Sequence, residues 1–264
     1  MLAELQNILA RLIRDKAFNS LYIEDINKAL SQYKLTDEER DYLFSIVPSS
    51  MNFLQERIAI ERLDHRSGEF GLFIEEISRY CDYQDLSMKF CFQYNTGSLQ
   101  KLSDVRCYYE FFAAYLLSYT LPEYLYDILQ YCYKNTLICW ESYTPKNIDQ
   151  LNHIDTNTKI HFIKRHDIVC IGIEAAHLLG LEPDKKRLDD RLDVIICKNP
   201  NTPKTSSCTI IYPGTIFDYL VHQKSCTVGD IVDRFGINAF REQAWLLEDG
   251  LAQGFLTLDR CNAP

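Results

Sequence analysis

Apolar positions along the chain recur with two different periods, and the change of period divides it. From residue 2 to about 140 the spacing is helical. Leu2, Leu5, Leu9, Leu12 and Ile13 form one stripe, Ile23, Ile26 and Leu30 a second, and Tyr42, Leu43 and Ile46 a third. The third stripe opens with Thr36-Asp-Glu-Glu39, in which Thr36 and Glu39 can satisfy each other's backbone amides as a capping box. Pro48-Ser-Ser50 is expected to end this opening part, residues 1–47. Helices are expected over 51–64, 69–81, 103–119 and 122–140, within an aromatic-rich segment, 51–143. Tyr108, Tyr109, Phe111, Phe112, Tyr115 and Tyr119 crowd one of these helices, and Leu125, Ile128, Leu129, Cys132 and Cys139 stripe the next. Such stripes are core in most proteins, and tyrosines at their rim suit a subunit contact.

Residues 144–158 are polar and turn-rich, and the domain boundary is placed there, with a helical domain over 1–150 and a second domain over 151–264. The period then shortens. Residues 159–163, 168–173 and 193–197 read as strands, with a short helix at 174–179 and a solvated loop from 183 to 191. Cys208, Ile210 and Tyr212 alternate with Thr209 and Ile211 as a further strand, which Pro213-Gly214 breaks. Ile216, Tyr219 and Leu220 return to helical spacing. Thr227 suits the N-cap of a helix carrying Val228, Ile231 and Val232. A third helix, from Asn238 to Gln253, has Phe240, Ala244, Leu247 and Leu251 on one stripe, and Phe255 to Leu258 can return as a strand. The expected fold class is α+β: a helical N-terminal half, then a winged-helix-like domain with a small antiparallel sheet.

A winged helix commonly reads DNA or holds a peptide, and charge separates the two. A DNA reader presents a basic helix, because phosphate contacts supply most of its affinity. Here the third helix carries Glu242, Glu248 and Asp249 against Arg241, and the chain as a whole is at −9. Peptide binding by strand addition needs no basic face. The expected peptide-binding residues are therefore Cys208, Thr209, Ile210, Ile211 and Tyr212 on the strand, with Arg241, Trp245 and Glu248 beside it on the third helix. Trp245 lies off the core stripe and would be the anchor. The competing reading has it packing on the wing or on the helical half.

Other chemistry is sparse. Glycine-rich phosphate loops, Gly-x-Ser-x-Gly and His-Glu-x-x-His do not occur. The ten cysteines include no Cys-x-x-Cys pair and read as reduced, mostly buried thiols. His153, His161, His166 and His177 lack a ligand spacing. No apolar run approaches about 18 residues, and the start reads as an amphipathic helix, so no membrane span and a cytoplasmic location are expected.

The segment Thr215-Ile-Phe-Asp-Tyr-Leu-Val-His-Gln-Lys-Ser-Cys-Thr-Val-Gly-Asp-Ile231, with Leu246 to Leu256 after it, resembles the peptide recognition elements of ribosomal natural-product pathways, similar to the pyrroloquinoline-quinone chaperone. The wider layout, a helical half followed by Lys159 to Cys170, a short helix and the strand Val194–Cys197, is similar to the partner subunits of TIM-barrel multinuclear iron enzymes that modify peptide cysteines, of the methanobactin and 3-thiaglutamate type. The resemblance covers residues 51 to 264, and residues 1–47 depart from it. It implies a non-catalytic subunit that binds the leader of a precursor peptide and presents its cysteine to an iron enzyme. The iron would sit in that partner, with no cofactor in this chain, no nucleic acid, and a hetero-oligomer as the working form. The alternative is a winged-helix transcriptional regulator with a helical sensor or dimerisation module.

Overall fold

The computed structural model describes residues 2–94, 102–140, 155–163, 166–183, 191–199, 202–223 and 225–259. The chain divides into two compact units, residues 1–119 and 120–264. The fold is α+β with a helical N-terminal half, as the change of period implies. Most of the turn-rich stretch expected as the domain boundary lies outside the described residues.

The first unit begins with α1 (Leu2–Arg14), α2 (Lys16–Glu24), α3 (Ile26–Leu30) and α4 (Asp37–Ser45). Asp15 and Asp25 each accept an amide at a helix start, which splits the expected second helix in two. The Thr36–Glu39 capping box forms as expected. Ile8, Leu12, Phe18, Tyr22, Leu30 and Leu43 make the buried cluster. Ile23 and Tyr42, expected on the apolar faces, are exposed instead. Pro48 does not end a segment. It starts α5 (Pro48–Ile77) at the first helical position, where the missing N–H costs nothing. The helix runs through the expected break at 65–68, and its non-helical residue is Phe70. Next come α6 (Tyr83–Gln93), absent from the sequence reading and capped by Asp82, and α7 (Leu102–Ser118). Phe70, Phe73, Phe90, Tyr108, Phe111 and Phe112 interlock edge-to-face and tilted, so Tyr108, Phe111 and Phe112 of the aromatic stripe are core, while Tyr109 and Tyr115 are half-buried and Tyr119 is exposed. The buried Arg66 guanidinium is held by Asp104 and Glu69.

The second unit opens with α8 (Glu123–Trp140). The helical period groups this helix with the N-terminal domain, but it packs on the strands that follow. Those elements are β1 (Lys159–Phe162), β2 (His166–Gly172), α9 (Ile173–Leu178), β3 (Arg191–Lys198) and β4 (Ser206–Ile211). They continue as α10 (Ile216–His222), β5 (Ser225–Thr227), α11 (Val228–Phe235), α12 (Ile237–Ala252) and β6 (Leu256–Asp259). The strands form two antiparallel sheets, not one: β5-β1-β6 and β2-β3-β4. The Cys208–Tyr212 and Phe255–Leu258 runs, both expected in the domain's one small sheet, therefore belong to different sheets. β1, α10, β5, α11, α12 and β6 together follow the winged-helix order, with β2, α9, β3 and β4 inserted after the first strand. Thr227 caps α11 in a capping box with Asp230.

The β2-β3-β4 sheet is covered on both faces. Ile195, Cys197 and Ile211 enter the core of the winged-helix part with Phe217, Leu220, Leu247 and Phe255. On the opposite face α8 lies across the strands, through Tyr131 to Cys208 and Lys134 to Asp167. α12 approaches α10 closely: a Cβ on Gly250 would stand 2.7 Å from the Phe217 ring and 2.8 Å from Leu256.

Candidate functional site

The strand singled out from the sequence, β4, stands at an edge of its sheet. Antiparallel pairs alternate between residues that exchange backbone bonds and residues that do not. The amide of Asn199 donates to the Thr205 carbonyl at 3.0 Å, which fixes the phase of that alternation beside β4. The register places Cys197 opposite Ser207, Ile195 opposite Thr209 and Asp193 opposite Ile211. These are the bonded pairs. The N–H and C=O groups of Ser206, Cys208 and Ile210 consequently point away from β3. Among the described residues, no backbone or side chain meets them. Gly214, at φ 74°, turns the chain sharply away after Tyr212.

Side chains alternate across the same strand. Ser206, Cys208 and Ile210 face α8, and Ser207, Thr209 and Ile211 face the winged-helix core. On the α8 side the Tyr131 hydroxyl donates to Cys208 Sγ at 3.2 Å, and the Ser206 hydroxyl donates to Asn135 Oδ1. Burial, and then the neighbouring Cys208, pushes the Tyr131 phenol far up from its ordinary value, so it stays a neutral donor. Lys198, buried opposite Ser206, donates from Nζ to the carbonyls of Ile138 at 3.2 Å and of Cys139, in the last turn of α8. An ammonium there complements the negative end of the helix. This polar seam fixes β4 while leaving its outer backbone untouched.

The other edge of the sheet is capped in part by side chains. By the same alternation, Ile168, Cys170 and Gly172 of β2 point outward. The Ile168 amide donates to Asp167 Oδ1 at 3.0 Å, and Lys134 holds the other oxygen of that carboxylate at 2.8 Å. The Cys170 carbonyl accepts from Arg191 at 2.9 Å, and the Gly172 amide donates to Asp127 Oδ2 at 2.8 Å. Arg191 and Asp127 are themselves paired at 2.7 Å. Charged side chains that occupy edge groups are a recognised protection against stray pairing.

The expected site residues on α12 do not join β4. Gln243 Oε1 accepts the Ile216 amide at 2.9 Å, so this side of α12 is turned to the chain just after β4. At 3.6 residues per turn, Trp245 lies about 200° round the helix from Gln243, with Arg241 and Glu248 about 160° and 140° round. All three are exposed, Trp245 at 58%. Trp245 therefore lies mostly exposed, on the side of α12 away from Gln243. Tyr212, expected in the strand, lies half-buried just past its end.

The residues that define the site and were not read from the sequence are Tyr131, Asn135 and Ser206 on the open side, and Asp127, Asp167 and Arg191 on the capped side. Their partners are 33 to 77 residues away, or are ordinary backbone groups, and no local pattern signals them. Among the described residues no cluster of three or more His, Cys, Asp or Glu could hold a metal ion, and no helix is long and apolar enough to cross a membrane. His153 lies outside the described residues. Compared with protein-family models and with curated proteins, the chain matches none.

Proposed function

We propose that this chain is a peptide-recognition subunit that takes an extended segment of a partner peptide as an additional strand along β4. Its outward donors and acceptors at Ser206, Cys208 and Ile210 form the ladder, and alternate side chains supply selectivity. The observation that carries the reading is the asymmetry of one sheet: one outer group at each of Ile168, Cys170 and Gly172 of β2 is met by a side chain, and among the described residues none meets those at Ser206, Cys208 and Ile210 of β4. With the resemblance noted above, the peptide is the leader of a ribosomally made precursor. The chain presents its cysteine to an iron-dependent partner enzyme and is itself non-catalytic. The acidic outer side of α12, with Glu242, Glu248 and Asp249 near Arg241, argues against a DNA-reading role.

Backbone amide exchange tests the reading. Addition of the precursor leader should slow exchange at Cys208 and Ile210 and leave Ile168 unchanged. Slowing at the β2 amides, or confined to α12, would overturn it. Binding should also weaken little between low and physiological salt, in contrast to a nucleic-acid complex.

A further inference from the structure

The two faces of β4 carry the same gradient. Toward α8 the order is Ser206, Cys208, Ile210, and toward the core it is Ser207, Thr209, Ile211. Both faces run from small and polar to apolar along the strand. Ile210 and Ile211 are nearly buried, at 8% and 5% exposure, while the four residues before them are half-buried. A strand that leaves one face to water alternates apolar and polar residues. This edge has no such face, because α8 covers one side of the sheet and the winged-helix core the other.

Directly opposed residues of paired strands share a face and pack on each other. A strand laid along β4 thus meets apolar surface on both of its faces at one end and hydroxyl or thiol groups on both faces at the other. At the polar end it also meets the hydrogen-bonded pairs Tyr131–Cys208 and Asn135–Ser206. The existing pairs in this sheet are antiparallel, the more stable pattern per residue. An antiparallel partner reads β4 from Ile211 back to Ser206.

We infer, on the basis of the strand-addition reading, that the recognised segment is patterned in blocks: two apolar residues, β-branched by preference, followed by a run of small serine-, threonine- or cysteine-like residues. An alternating amphipathic strand is the wrong shape for this edge.

Three capped peptides of one composition test the pattern against the full-length protein: Val-Ile-Ser-Thr-Ser-Thr, its reverse Thr-Ser-Thr-Ser-Ile-Val, and the alternating Ser-Val-Thr-Ile-Ser-Thr. Amide exchange and chemical shifts are followed during titration into the millimolar range. The first peptide should bind about tenfold more tightly than the others and slow exchange at Cys208 and Ile210. If the alternating peptide binds as well as the first while protecting those same amides, the block pattern is overturned and strand addition stands. If the reversed peptide wins, the antiparallel order is overturned. If no peptide protects either amide, strand addition itself fails and the pattern falls with it.

Discussion

β2 and β4 flank the same central strand, have similar lengths, and end in opposite states. Asp167, Arg191 and Asp127, each held by a second charge, take one outer backbone group at each of three β2 residues, whereas among the described residues none takes those of β4. The strands β5 and β6, edges of the other sheet, are only three and four residues long. Short edges and charged caps are two common ways to prevent accidental pairing. β4, at six residues, is longer than β5 or β6, and among the described residues none caps its outer backbone groups.

Proline separates the inner and outer ladders of β4 and should give the largest effects. Ile211→Pro deletes an inward bond to β3 and a buried side chain, and should cost on the order of 3 kcal/mol in urea unfolding. Ile210→Pro deletes an outward donor and, like Ile211→Pro, a buried side chain, but no bond to β3. It should cost less stability than Ile211→Pro, since edge positions tolerate proline, and weaken titrated peptide more than about tenfold. Equal damage from the two substitutions would erase the distinction between inner and outer groups.

Uncapping β2 should make it resemble β4. Asp127→Ala strands the Gly172 amide and removes one partner of Arg191, at a cost of about 2 kcal/mol. The exposed β2 edge should also self-associate, seen as a rise in sedimenting mass with concentration. A variant that is destabilised yet keeps the wild-type mass would show that Asp127 anchors the helix without guarding the edge.

Two buried thiols, Cys197 on β3 and Cys226 on β5, link stability to alkaline pH. Burial, then Cys208, pushes the Cys197 thiol from 9.0 up to about 12, and burial, then Asp230, pushes Cys226 up to about 11. The unfolded chain releases these protons first, so their contribution is complete below pH 9.0 and is lost as pH rises toward 12. Urea midpoints should fall across that window, and Cys197→Ala should flatten the fall.

The smallest effect is expected at Trp245. Because it lies on the far side of α12 from Gln243, Trp245→Ala should change peptide affinity and stability by less than about 0.5 kcal/mol. A tenfold loss of peptide affinity would bring α12 back into the site.

The strands themselves were legible in the sequence, because period-two alternation and the Pro213-Gly214 break are local signals. So were the caps at Thr36 and Thr227, which need only three residues of context. Strand partners were not legible. Alternation marks which side chains of residues 206–211 share a face, but not that β4 pairs with β3 while β6 pairs with β1. Three-residue β5 is too short to show a period. α6 was missed because its apolar residues follow no clean stripe, and Pro48 misled because proline both ends segments and begins helices. Trp245 was placed correctly outside the core, yet nothing in a one-dimensional pattern says which neighbour an outward residue faces.

Strand β1 brings together distant parts of the second unit, with residue 159 opposite residues 227 and 259, whereas β3 and β4 are joined by a hairpin between residues 198 and 206. Local hairpins close in microseconds, and long-range pairings wait for chain closure. The β3–β4 hairpin should therefore gain exchange protection early in refolding, before β1 clasps β6, as pulse labelling can resolve. Its open edge would then be available to a template while the rest of the unit is still assembling. A cognate peptide present at that moment should raise the refolding yield by occupying the edge before another chain does.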